Sequence, residues 1–130
     1  MREYKLRAKR LDNRELAYGF GVFPIEDENG RILKCELYTT SGIIEVDPET
    51  VGQYTGLKDK NGKEIYEGDV VKGYWWKRGK RHRHIGTVTY IMNAFMVRGI
   101  KQYTGLDDSL SPVYEIIGNI HDNPSLLEAK

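Results

Sequence analysis

Ten consecutive residues, Trp75-Trp76-Lys77-Arg78-Gly79-Lys80-Arg81-His82-Arg83-His84, hold the densest chemistry of this chain. Five fixed cations (Lys77, Arg78, Lys80, Arg81 and Arg83) fall within eight residues and follow two indoles. Such a run neutralises phosphates while a Trp stacks on a base, and at the tip of a β-hairpin it can enter a groove. The same residues also suit a solvated hairpin whose charge keeps an exposed edge soluble. A formal net charge of +1 for the whole chain speaks against a dedicated nucleic-acid binder, which shows a clearly basic domain. A second basic patch lies at the start, where Arg2, Lys5, Arg7, Lys9 and Arg10 face Glu3 alone.

Other reactive groups are sparse. His82 and His84 share one side of a strand, but a third metal ligand would have to be His121, Cys35 or a carboxylate, all distant in sequence. No zinc spacing is present. Both histidines are therefore expected as exposed loop residues, and no metal or cofactor is expected. Cys35 precedes Glu36-Leu37-Tyr38 in a strand-like run and reads as a packed or surface thiol. Asp27-Glu28-Asn29-Gly30 and Asp59-Lys60-Asn61-Gly62 place Gly fourth where a calcium loop places it sixth, so hairpin tips explain them. Asp69 is a candidate acid–base carboxylate, but capping a turn or bonding strand amides is commoner for such an Asp. No phosphate loop, Ser-His-Asp set or HExxH motif occurs, so no catalytic residues are assigned and an enzyme is not expected.

The elements that must position these groups are strands. A chain of 130 residues forms one compact domain or two very small ones. Charged residues make up 30% and aromatics 11%, which gives a polar surface yet argues against disorder. One cysteine implies no internal disulfide and a reducing compartment. The N-terminus has no apolar segment of the signal-peptide kind, and no run is long enough to span a membrane, so a cytoplasmic protein is expected.

Tyr4, Leu6 and Ala8 alternate with charged neighbours as in a half-buried strand, and Leu16–Phe23 reads as one strand ended by Pro24. Asn29-Gly30 and Asn61-Gly62 predict type I′ hairpin tips. Asp47-Pro48 predicts a one-turn helix over 48–51, and Asn123-Pro124 a short terminal one over 124–129. Strands are expected over 69–76, 85–91, 95–98 and 113–120. A seven-residue element also recurs: Gln53-Tyr54-Thr55-Gly56-Leu57-Lys58-Asp59 returns as Gln102-Tyr103-Thr104-Gly105-Leu106-Asp107-Asp108 with one substitution. Each copy reads as a strand running into a turn. The organisation predicted is mainly β: an N-terminal β-meander over 1–50, an SH3-like small β-barrel over 51–122 carrying the basic hairpin 75–84, and a tail over 123–130.

Val51–Val71, the opening Arg2–Ala8 and the closing Glu115–Pro124 together resemble the YopX family of phage and prophage proteins. The resemblance implies a phage-encoded, mainly β protein that self-associates in the cytoplasm of a bacterial host, with no established activity and no catalytic residues to carry over. The leading expectation is a non-catalytic, self-associating binding module with Trp75 and Trp76 as interface anchors, toward a second copy or a host or phage protein. The alternative is a nucleic-acid-binding accessory factor using Lys77, Arg78, Lys80, Arg81 and Arg83. A small enzyme is a third class that no motif supports.

Overall fold

Apolar alternation and frequent Gly turns specify strands, and the computed structural model, which describes residues 4–127, is mainly β. Three one-turn 3-10 helices are its only helical elements among the described residues. None of its helices is long and apolar enough to cross a membrane. The first three residues and 128–130 lie outside the description, including Arg2 and Glu3 of the basic opening and the end of the expected terminal helix. The chain divides into two compact units, Met1–Tyr54 and Thr55–Lys130.

In the first unit, strand β1 (Leu6–Lys9) lies between β2 (Leu16–Gly19) and the start of β6 (Gly52–Lys58), antiparallel to both. Arg7 and Lys9 are buried along with Ala8, so β1 is covered on both faces, where simple alternation predicts the two cations exposed. The run Leu16–Phe23 is two strands, not one. It breaks at Phe20, and β3 (Gly21–Glu26) carries Pro24 inside it. Pro is tolerated there because β3 is an edge of the sheet β3-β4-β5, with β4 over Ile32–Thr39 and β5 over Gly42–Val46. Ala8, Ala17, Cys35, Leu37 and Val46 form the core. Burial, and then the charge of Asp47, pushes the Cys35 thiol up in pKa, so it stays protonated. As predicted, Asp47 caps a 3-10 turn over Pro48–Thr50, accepting from the Glu49 amide at 3.1 Å.

In the second unit, the end of β6 is followed by β7 (Glu64–Tyr66), β8 (Asp69–Lys77), β9 (Lys80–Ile91), β10 (Ala94–Gly99), β11 (Asp107–Ser109) and β12 (Glu115–Asn119). The last five form one antiparallel sheet in the order β11-β10-β9-β8-β12, so the final strand returns beside the first. Ile65, Val71, Val88, Val97, Leu110 and Tyr114 fill its core. Beyond β12, a 3-10 turn over Pro124–Leu127 sets Leu126 against Gly118, where an added Cβ would lie 2.9 Å from it.

The turns depart from prediction in an instructive way. Type I′ geometry needs positive φ at both central residues. It occurs at Arg78-Gly79 (φ 53 and 76) and Met92-Asn93 (φ 52 and 65), and not at the two Asn-Gly tips, where only Gly30 and Gly62 are positive. There the preceding Asp takes over. Asp27 Oδ1 accepts from the amides of Asn29 and Arg31 at 2.8 and 2.9 Å, and Asp59 Oδ1 from those of Asn61 and Lys63 at the same distances. A side chain that bonds its own turn fixes a wider loop with one left-handed glycine.

The repeated heptapeptide also takes two conformations. Its first copy lies in β6 with Gly56 at φ 86, as a strand with a local kink. Its second begins as a 3-10 turn over Lys101–Tyr103, which corrects the expected strand, and only its last two residues enter β11. Tertiary pairing overrides local preference here. Beyond a left-handed glycine, the copies share a role for the final aspartate. Asp59 Oδ2 accepts from the Ile116 amide at 3.1 Å, and Asp108 Oδ2 from the Tyr114 hydroxyl at 2.6 Å. Both clamp the entry to β12. That hydroxyl, pushed up in pKa by burial and then by Asp108, remains a donor.

Burial alone would raise the Asp59 pKa, but the amides of Ile116, Lys63 and Asn61 outweigh it and hold the carboxyl below its ordinary value. A depressed folded-state value stabilises the fold above the unfolded carboxyl pKa near 4, and that contribution is lost as pH falls through the lower folded value. Asp59→Asn should therefore cost about 2 kcal/mol at neutral pH in urea titrations and flatten the acid limb of the stability profile. An unchanged acid limb would remove Asp59 as the clamp. Cys35 should label with a thiol reagent only slowly until the protein is denatured. Rapid native labelling would contradict its burial.

Candidate functional site

Strands β8 and β9 pair without interruption to the tip, Gly73 opposite His84, Tyr74 opposite Arg83, Trp75 opposite His82, Trp76 opposite Arg81 and Lys77 opposite Lys80. The segment expected to include a charged loop is therefore a regular hairpin closed by the two-residue turn Arg78-Gly79. Directly opposed residues share a face, and faces alternate along each strand. One face carries Gly73, Trp75, Lys77, Lys80, His82 and His84, and leads back to Val71 and Val88 of the core. The other carries Tyr74, Trp76, Arg81 and Arg83.

His84 corrects the expectation of two exposed loop histidines. Only His82 is exposed; His84 is fully buried at the root of the hairpin. Its ring stacks on Trp75 with centroids 5.3 Å apart and 9° between planes, and meets Tyr103 and Tyr114 edge-on at 5.7 and 6.4 Å. Nε2 donates to the Val97 carbonyl at 3.3 Å, since a carbonyl only accepts, while Nδ1 has no hydrogen-bond partner among the described residues. Gly73 makes room for this cluster, because a Cβ there would lie 2.5 Å from the Tyr114 ring. Trp75 thus belongs to the packing of the hairpin root, half-buried, whereas Trp76 is 73% exposed.

The outer face is ordered by its own contacts. The Arg81 guanidinium lies 4.1 Å over the Tyr74 ring, leaving its N–H edges toward solvent. Arg83 Nε donates to the Tyr103 hydroxyl at 2.7 Å, and that bond holds the guanidinium above its ordinary pKa. Lys77, Arg78 and Lys80 are exposed around the turn. Sequence reasoning found these five cations and both indoles but missed Tyr74, Tyr103 and the burial of His84. A further signal was present. From Val70 to Leu106 the chain contains Lys72, Lys77, Arg78, Lys80, Arg81, Arg83, Arg98 and Lys101 and no Asp or Glu. The near-zero net charge conceals this one-signed segment.

The remaining candidates serve structure. Asp69 is buried and accepts from the Tyr66 amide at 2.8 Å, the bonding role set against catalysis in the sequence. Asp27 and Asp59 spend one oxygen each on two amides of their own turns. Among the described residues no group of three or more His, Cys, Asp or Glu side chains gathers in a metal-holding arrangement.

Comparison with known proteins agrees with this architecture. The crystal structure of protein EF1440 from Enterococcus faecalis is similar at 28% identity and a TM-score of 0.53, covering 96% of this chain and 98% of that one. No curated protein matches. The family model described as YopX protein matches residues 5–128. On that match, which takes in β1 through β12, the chain belongs to the YopX family.

Proposed function

We propose that this protein is a non-catalytic binding module whose contact surface is the outer face of the β8–β9 hairpin. Trp76 carries the reading. An indole 73% exposed, in register with Arg81 and two residues from Tyr74, is a large apolar and polarisable surface held on a rigid ribbon. Trp, Tyr and Arg are the residues that dominate contact energetics, because they cover much area at little conformational cost. We read the sheet order β11-β10-β9-β8-β12 as SH3-like, with the hairpin projecting from the small barrel. The carboxylates and imidazole that could support acid–base work are engaged in turns and packing, which favours contact over reaction. In this reading the protein acts in the cytoplasm of a bacterium that carries the phage or prophage.

Self-association is a second reading, favoured by the outer face of the β3-β4-β5 sheet. Register places Phe23, Tyr38 and Ile43 on one side, with Phe23 55% and Ile43 60% exposed. Glu36, Lys34 and Glu45 share that side and Lys34 pairs with Glu45, so charged groups interleave with the apolar ones on this face.

Light scattering behind size exclusion should give a mass that is a multiple of 15.0 kDa. Phe23→Asp with Ile43→Asp should weaken assembly roughly tenfold or more. A monodisperse wild-type monomer at high concentration would remove the assembly reading. For the hairpin, immobilised wild type and Trp76→Ala/Arg81→Ala should be compared for what each retains from a bacterial lysate. An identical retained set would sink the hairpin as the contact surface.

A further inference from the structure

We propose that the occupant of the hairpin face is a single strand of DNA, bound by its phosphates and by stacking of its bases. The inference rests on the hairpin being the contact surface and names the chemistry that fits it. Three observations converge. First, the charge is of one sign. Arg98 pairs with Asp107 at 3.8 Å, and five of the remaining cations of the acid-free segment crowd the outer half of the hairpin: Arg81 and Arg83 on the outer face, Arg78 in the turn, and Lys77 and Lys80 flanking the turn on the opposite face. Arg and Lys donate and never accept, so this surface matches a ligand that presents acceptors and negative charge along a line.

Second, aromatic rings interleave with the cations. Tyr74 and Trp76 stand two residues apart on one face, roughly 7 Å along the strand. Each has a cation opposite it on β9, Arg83 and Arg81 respectively. An acidic peptide would satisfy the guanidinium groups but offers the Trp76 ring a flat partner only where it carries an aromatic side chain. A polynucleotide supplies both, because every base offers a π-face and every step a phosphate. Third, the donors are held before any ligand arrives. Arg81 is laid on Tyr74 at 4.1 Å and Arg83 is tied to the Tyr103 hydroxyl at 2.7 Å. Less side-chain freedom is then lost on binding.

The strand must be single. In a duplex the base faces are stacked on one another and closed to Trp76, whereas an unpaired strand can lay them on the ring. The face has no carboxylate to accept from a ribose 2′-hydroxyl, which favours DNA as the occupant and leaves the oligo-rU arm of the test to separate the two.

The test is fluorescence anisotropy with a labelled oligo-dT of about fifteen nucleotides, the full-length chain, and a salt series. Phosphate contacts at Arg78, Arg81 and Arg83 on a single strand give a slope of log K against log salt of about −2. Arg81→Ala should reduce the slope by about 0.7, the share of one phosphate. Trp76→Ala should weaken binding roughly tenfold and leave the slope unchanged, because stacking releases no counterion. Both side chains are exposed, so unchanged circular dichroism and melting would show that the variants remain folded. No binding at low salt, an unaffected Trp76→Ala, duplex DNA bound as tightly, or oligo-rU bound tenfold tighter would each overturn the assignment. If oligo-dT fails while lysate capture still depends on Trp76 and Arg81, the DNA assignment falls and the hairpin reading stands. If both fail, both fall.

Discussion

Two aspartates hold one short segment, and the sheet that presents the hairpin depends on that grip. Asp59 bonds the amide of Ile116 while ordering its own turn, and Asp108 bonds the hydroxyl of Tyr114. The Lys60 amide donates to the Tyr114 carbonyl at 3.0 Å, and Asn61 reaches Glu115 at 3.2 Å, so successive residues are fixed by one turn. A segment held in this way can deliver a large ring accurately. Tyr114 covers Gly73, the one position on β8 where a missing Cβ allows it, and so forms one wall around His84. Bonds to a charged acceptor are about twice as strong as neutral ones, which suits a joint between the final strand and a turn far from it in sequence.

The hairpin beyond that joint is under electrostatic stress. Lys77, Arg78, Lys80, Arg81 and Arg83 repel one another across a ribbon with a two-residue turn, and Arg78 additionally adopts positive φ, a conformation uncommon outside glycine. The ribbon is held from its base, where Trp75 stacks on His84 and Tyr103 and Tyr114 meet that ring edge-on. Stacking of Arg81 on Tyr74 turns one of the repelling charges into a contact. Like charge at the tip also discourages edge-to-edge pairing, which an exposed ribbon would otherwise invite.

Much of this was legible in the sequence. Alternation and glycine spacing predict the strands over 69–76, 85–91 and 95–98, and Asp47-Pro48 predicts its 3-10 turn, because those signals are local. The failures have non-local causes. Pro24 ends a strand only when its missing N–H is needed, and on the edge strand β3 it is not. Arg7 and Lys9 are buried although they alternate with Ala8, so both faces of β1 are covered, which periodicity cannot reveal. Asn-Gly predicted type I′ turns, but an Asp two residues upstream offered the amides another acceptor and changed the loop. His84 was misread because it belongs to a basic run by sequence and to the core by register. Only the turn at Arg78-Gly79, which fixes that register, separates the two.

The heptapeptide repeat shows how sequence identity and structural role come apart. Gly56 and Gly105 both adopt positive φ, at 86° and 90°, so the local turn requirement is common to the copies. The residues before them diverge because their surroundings do. Tyr54 is buried in a strand, while Tyr103 stands at the end of a 3-10 turn with its hydroxyl on Arg83. The single substitution falls where it matters. Lys58 lies exposed at the end of β6, whereas Asp107 sits opposite Arg98 on β11 and pairs with it. The second copy therefore does two things the first does not. It draws off the charge of Arg98 and steadies Arg83 through Tyr103, so that uncompensated positive charge is concentrated on the outer hairpin and is already oriented there.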